Sequence, residues 1–226
     1  MEREPNTRGL GGLASSRQSP PPTRLAADAP DAVEWFSRGY LPHRDLGGLQ
    51  QSVTFRLADS LPRKLLAQWS AELAHLPEGK RQTEREKRIR TCLDQSHGAC
   101  WLRDPRVAEV VENALLHFDG RRYRLLAWCV MPNHVHGLVE TCREYPLPKV
   151  VHAWKSYTAS EANKRLGRKG AFWQREYHDR YMRDAEHLRR TIEYIELNPV
   201  KAGLVPTPGD WRFSSARHRP VGGISS

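Results

Sequence analysis

The spacing of apolar residues changes several times along the chain, and each change marks an element. Between Gln50 and Leu57 the residues Val53, Phe55 and Leu57 alternate with polar ones, the period of two that a strand with one buried face needs. Leu61 to Leu76 then places Leu65, Leu66, Trp69, Leu73 and Leu76 at helical spacing. Gln82 to Gln95 continues as a charged helix with few apolar positions, either a solvated face or an insertion lying over one. Asp104-Pro105 supplies an N-cap and a first-turn proline for a helix whose Val107, Val110, Val111, Ala114, Leu115 and Phe118 form one stripe. Arg122 to Val130 is rich in strand formers, and Met131-Pro132-Asn133 interrupts it, so a hairpin is predicted with its turn just ahead of His134. Helical spacing returns from Leu147 to Leu166, with Val150, Val151, Trp154, Tyr157, Thr158 and Ala162 on one face and Gly167 as its end. Asp184 reads as the N-cap of a last helix with Leu188, Thr191, Ile192 and Ile195 as its buried stripe and Tyr194 at the margin. Pro199 is expected to terminate it, with Gly203 just beyond.

This order of strand, helices, hairpin, helix, strand and helix places the chain in the α+β class. Its 226 residues can bury a real core, and it holds no apolar run near the eighteen or so residues that cross a bilayer. Residues 1–30, with the runs GLGG, SSRQ and SPPP, have the composition of a disordered extension, so a single domain is expected over 31–226, with a charged helical insert near 76–95. Trp35 to Asp45 sets aromatics beside Arg and His in a turn-rich stretch that either packs on the core or touches a ligand. Cys92, Cys100, Cys129 and Cys142 form no C-x-x-C pair and the chain starts without the apolar core of a secretory signal, so reduced thiols and a cytoplasmic location are expected.

Charge narrows the partner. Lys and Arg number 36 against 26 acids, a net +10 and a pI near 9.8, which suits a polyanion such as nucleic acid or, less often, a membrane surface. Between Lys155 and Arg190 stand ten Lys or Arg and five acids, 10 − 5 = +5 of that total. Within this stretch Phe172, Trp173, Tyr177 and Tyr181 interleave with Arg175, Arg180 and Arg183. Aromatic faces for bases and guanidinium groups for phosphates suit a single strand, while the same pattern also fits an extended segment with one aromatic face in the core.

The candidate chemistry lies in the hairpin and the last helix. On a strand His134 and His136 point the same way, with Val135 and Leu138 expected in a core; two imidazoles on one face can claw a metal, or can be ordinary strand histidines. Asn198 lies one turn below Tyr194, so a phenol and a carboxamide share a flank from which both could reach a cation held by the histidines. The plainer alternative is a half-buried tyrosine and a helix-ending asparagine.

Four stretches together, GYLPH at Gly39 to His43, MPNHVH at Met131 to His136, WQREYHDRY at Trp173 to Tyr181 and YIELNPVKAGLV at Tyr194 to Val205, resemble the REP-associated tyrosine transposases, of the HUH class of single-strand DNA endonucleases and transposases. The resemblance implies a ferredoxin-like HUH palm, an antiparallel sheet backed by helices. It implies that His134 and His136 bind Mg²⁺ or Mn²⁺ with Asn198 as third protein ligand, and that Tyr194 is the nucleophile of a nicking and rejoining reaction through a 5′-phosphotyrosine. The expected partner is single-stranded or hairpin DNA, repetitive extragenic palindromes in particular, met by a monomer through Tyr40, His43, Lys155, Trp173, Gln174, Arg175, Tyr177, Arg180 and Arg183. The charged insert is expected to leave the site untouched. Two further readings stay open: a non-catalytic binder of palindromic repeats with the same fold, and a metal phosphoesterase using water, in which Tyr194 is structural.

Overall fold

The computed structural model describes residues 48–219, together with the backbones of two short strands at 35–37 and 42–44. These two, β1 (Trp35–Ser37) and β2 (Pro42–Arg44), pair antiparallel with Trp35 opposite Arg44. Of the residues expected there to meet DNA, Tyr40 lies outside the described residues and His43 is described by its backbone alone. The extension expected over residues 1–30 also lies outside them.

Alternation in β3 (Gln50–Arg56) and the hairpin of β4 (Tyr123–Val130) and β5 (His134–Thr141) builds a sheet of order β4-β5-β3-β6, closed at its edge by β6 (His178–Tyr181), and every pairing is antiparallel. One face carries Val53, Phe55, Leu125, Val135 and Val139, and two helices cover it: α3 (Pro105–Leu116) and α4 (Leu147–Arg165). Their Val107, Val111, Leu115, Val150, Val151 and Trp154 fill the main core, each aliphatic side chain there contributing about 1.5–3 kcal/mol by leaving water. Asp104 caps α3 as expected, its carboxylate accepting from the Arg106 backbone N–H at 2.9 Å.

The other face is covered by α5 (Ala185–Lys201), whose Ile195 packs against Ala127, Cys129, Met131 and Leu138. Both expected core residues of β5 are therefore buried, but on opposite sides: Val135 enters the main core, while Leu138 shares the histidines' face and lies beneath α5. The helix does not end at Pro199. It runs on to Lys201, because a proline in the last turn removes only the bond to Ile195, while Ala202 N–H still reaches Asn198 and Leu204 N–H reaches Pro199, both at 2.9 Å.

Two more helices, α1 (Arg63–Glu72) and α2 (Glu78–Asp94), form between β3 and α3. Their sparse apolar residues make a separate cluster of Leu61, Trp69, Cys92 and Leu93, with Leu65, Leu66 and Ile89 against it. Among the described residues no helix is long and apolar enough to cross a membrane.

Candidate functional site

Register brings the chemistry together. Thr54 lies opposite His136 and Arg56 opposite His134, so these four side chains emerge from the sheet on the face that α5 covers. His134 is fully buried and His136 only 5% exposed, with their Nε2 atoms 2.9 Å apart. The Asn133 amide nitrogen donates to the His97 carbonyl at 2.9 Å, which turns its oxygen to His134 Nδ1 at 2.8 Å. His134 therefore carries its proton on Nδ1 and presents a lone pair at Nε2. His136 Nδ1 sits 2.9 Å from the Thr54 hydroxyl, which can donate or accept, so its ring can offer either a proton or a lone pair to its neighbour. Burial lowers the pKa of His134 to about 3 and that of His136 well below the ordinary value, the latter helped by the nearby His134, Arg90 and His178. Both rings are neutral at physiological pH, the form in which imidazole binds metals.

The loop that fixes Asn133 is itself fixed by a glycine. Gly98 has φ +86°, and a Cβ there would lie 2.7 Å from the Asp59 carbonyl oxygen. Asn133→Ala leaves His134 Nδ1 without a partner in a buried site, so urea unfolding should report a loss of about 1–3 kcal/mol, the cost of one orphaned polar group.

Helix α5 supplies the other two groups. The Tyr194 ring stands 5.6 Å from that of His136 at 76°. One turn on, Asn198 is 1% exposed and its amide nitrogen donates to the Tyr194 carbonyl at 3.0 Å, which leaves its oxygen unused. Neither that oxygen nor the Tyr194 hydroxyl has a hydrogen-bond partner among the described residues. Burial raises the pKa of the phenol; the adjacent Asn198 side chain and Arg90 pull it back, though phenol and amide do not align into a hydrogen bond.

The charged insert does not leave this place untouched. Arg90 of α2 lies 5.4 Å over the Tyr194 ring, and Lys201 lies 5.0 Å from the same centroid. Asp94, also on α2, has a carboxylate oxygen buried without a partner, and burial raises its pKa against the pull of Arg90 and Lys201. Sequence periodicity marked α2 only as a polar helix; which surface such a helix covers is set by tertiary packing, and no local pattern encodes it. A cavity of about 630 Å³ separates α2 from the sheet, and His134, His136, Arg56, Arg85, Arg90 and Gln174 line it.

The aromatic and basic stretch divides by chemistry. Trp173 is a core residue: its ring packs 4.8 Å from Phe55 and its indole N–H donates to Thr158 at 2.9 Å. Phe172 and Tyr177 are buried as well. Arg175, Arg180 and Arg183 are exposed, and Gln174 borders the cavity. Lys155 is half-buried, donates to the Arg175 carbonyl at 2.6 Å and has its pKa lowered by burial to about 8. Of the seven residues expected to touch DNA whose side chains are described, the three arginines thus point outward, Lys155 is half-buried, and Trp173 and Tyr177 lie inside.

Among the described residues no three His, Cys, Asp or Glu side chains gather as a metal cluster. Residues 102–198 match the family model described as Transposase IS200 like. The matched segment is thus similar to IS200-like transposases. It holds both histidines and Tyr194 and ends on Asn198; α1 and α2 fall outside it. The chain is 30% identical over 109 residues to the REP-associated tyrosine transposase of Escherichia coli (strain K12), covering 45% of this chain and 58% of that protein. It is 29% identical over 110 residues to a protein of Haemophilus influenzae that bears the same name provisionally, covering 44% of this chain and 61% of that one. The chain thus spans about three fifths of the length of these curated relatives. A solved REP-associated tyrosine transposase bound to a REP hairpin superposes with a TM-score of 0.52 at 18% identity, over 84% of this chain and 88% of that one. The chain shares that protein's fold, an antiparallel sheet backed by helices.

Proposed function

We propose that the transposase domain nicks and rejoins single-stranded DNA beside a palindromic hairpin, with Tyr194 as the nucleophile. The observation that carries this is a buried phenol without a partner, set against a buried imidazole pair and one turn from an orphaned carboxamide oxygen. In a purely structural setting each orphan would cost about 1–3 kcal/mol, so their gathering at one spot speaks for chemistry. The relatives named as REP-associated tyrosine transposases, one of them bound to a REP hairpin, support a palindromic hairpin as substrate.

Two neutral imidazoles and an amide oxygen fit a divalent cation such as Mg²⁺ or Mn²⁺, which His134, His136 and Asn198 would hold. When bound, such an ion supplies positive charge at the scissile phosphate. Asn133 and Thr54 keep the two rings oriented. Tyr194 Oη forms the new bond to phosphorus while the bond to the 3′ oxygen breaks, and the phenolic proton passes, in net balance, to that oxygen as a 3′-hydroxyl. Arg90 and Lys201, both close to the Tyr194 ring, favour the phenolate that attacks. Because the phosphodiester bond is exchanged and not hydrolysed, the reverse attack by a 3′-hydroxyl rejoins a strand without ATP. The exposed Arg175, Arg180 and Arg183 would steer the backbone from outside.

The test is a labelled hairpin oligonucleotide with a single-stranded flank, incubated with the protein and Mn²⁺. A denaturant-resistant adduct is expected on Tyr194. Tight binding without any adduct would make the protein a binder of palindromes, and multiple turnover without adduct would make it a phosphoesterase using water.

A further inference from the structure

The transposase segment begins at residue 102, whereas the wall of the large cavity opposite the histidines comes from α1 and α2. The acids on that wall are engaged: Glu78 pairs with Arg81 at 3.3 Å, Glu86 pairs with His178 at 3.2 Å and Arg180 at 3.8 Å, and Glu176 has partners of its own. Three lining cations remain. Arg56, Arg85 and Arg90 make no ion pair with any described carboxylate. Among the described residues Arg56 reaches the Ser60 hydroxyl, at 3.2 Å, and burial beside Arg85 lowers its pKa to about 10. The Nε of Arg85 is buried without a partner. Arg90 is exposed and feels the Asp94 carboxylate, but Arg56 and Arg85 are partly desolvated without an ion pair to a described carboxylate, which is unfavourable until an anion enters. Their planar forks match phosphate oxygens, and the cavity lies within the range of about 300–1,000 Å³ usual for small-molecule pockets, which suits one or two nucleotides and excludes a duplex.

We propose that this cavity binds the sugar–phosphate backbone of a single DNA strand, with Arg56 and Arg85 gripping a phosphate next to the one attacked and Arg90 standing between it and Tyr194. The proposal rests on the single-strand reading above and adds to it a subsite built by the insert. It explains why a polar helix with its own small apolar cluster is folded down over the histidines.

The test uses the full chain in EDTA, where binding is separated from cleavage, with a short fluorescent oligothymidylate followed by anisotropy across a salt series. Arg85→Gln should lower affinity about tenfold, as loss of a charge-assisted hydrogen bond does, and flatten the slope of log affinity against log salt by about 0.7, the single-strand value for one phosphate. Arg56→Gln should do the same, and the half-exposed Arg85 keeps the test alive should the Arg56 variant fail to fold, which thermal melting reports. Arg124→Gln, on the outer strand β4 and paired with Glu140, serves as the control and should change neither quantity. If Arg85→Gln binds with wild-type affinity and slope, the cavity is not the subsite and the strand runs elsewhere, while adduct formation on Tyr194 would still stand. If the wild type forms an adduct on a hairpin yet does not bind oligothymidylate, a backbone subsite is overturned; if it does neither, both readings fall.

Discussion

Tyr194→Phe abolishes the covalent adduct and strand cleavage while hairpin binding and the fold persist. The change removes one oxygen and keeps the ring in its contact with His136. Because that oxygen is buried without a partner, its loss should leave the unfolding free energy unchanged or raise it, within about 1 kcal/mol. The expected result is thus an unusual pair of numbers, activity gone and stability intact, read by gel electrophoresis of the adduct and by urea unfolding on the same preparation. An adduct that survives the substitution and maps to Tyr177 or Tyr181 would assign the nucleophile to β6 or the residue just before it.

The second large effect belongs to the imidazole pair. His134→Ala and His136→Ala should each eliminate divalent-dependent cleavage, because a cation held by two rings and an amide loses a principal ligand with either. Asn198→Ala should cost less, since water replaces a neutral amide oxygen more readily than an oriented imidazole. Titrating Mn²⁺ against cleavage distinguishes the cases: Asn198→Ala should shift the titration to higher concentration, whereas the histidine variants should show no rescue within the soluble range. Normal cleavage by both histidine variants would return the pair to the status of core residues. His134→Ala also leaves the Asn133 amide oxygen alone, so this variant carries a stability loss of about 1–3 kcal/mol that His136→Ala, bordered by a hydroxyl able to turn, should show less.

What could be read from the residues alone follows from which rules are local. The period of two fixed the shared face of His134 and His136, and the helical turn fixed Tyr194 above Asn198, so the placement of the candidate groups was legible before any contact was known. Pro199 misled because its cost depends on where in a helix it falls, and in the last turn only one bond is forgone. Phe172, Trp173 and Tyr177 could be assigned neither to bases nor to core by composition; the Thr158 hydroxyl that accepts from the Trp173 indole sits on α4, fifteen positions earlier. The covering role of α2 was illegible for the same reason: Arg90 meets Tyr194 across more than a hundred positions of sequence.

The separate apolar cluster beneath α1 and α2 has a bearing on how such a protein can diversify. Leu61, Trp69, Cys92 and Leu93 hold the two helices to each other by side chains that take no part in the sheet or in the histidine pair. Solvent-facing positions on α2 can therefore change without disturbing the sheet or the histidine pair, whereas Arg90 stays tied to the Tyr194 ring. Under selection for a new ligand, innovation would concentrate at those solvent-facing positions.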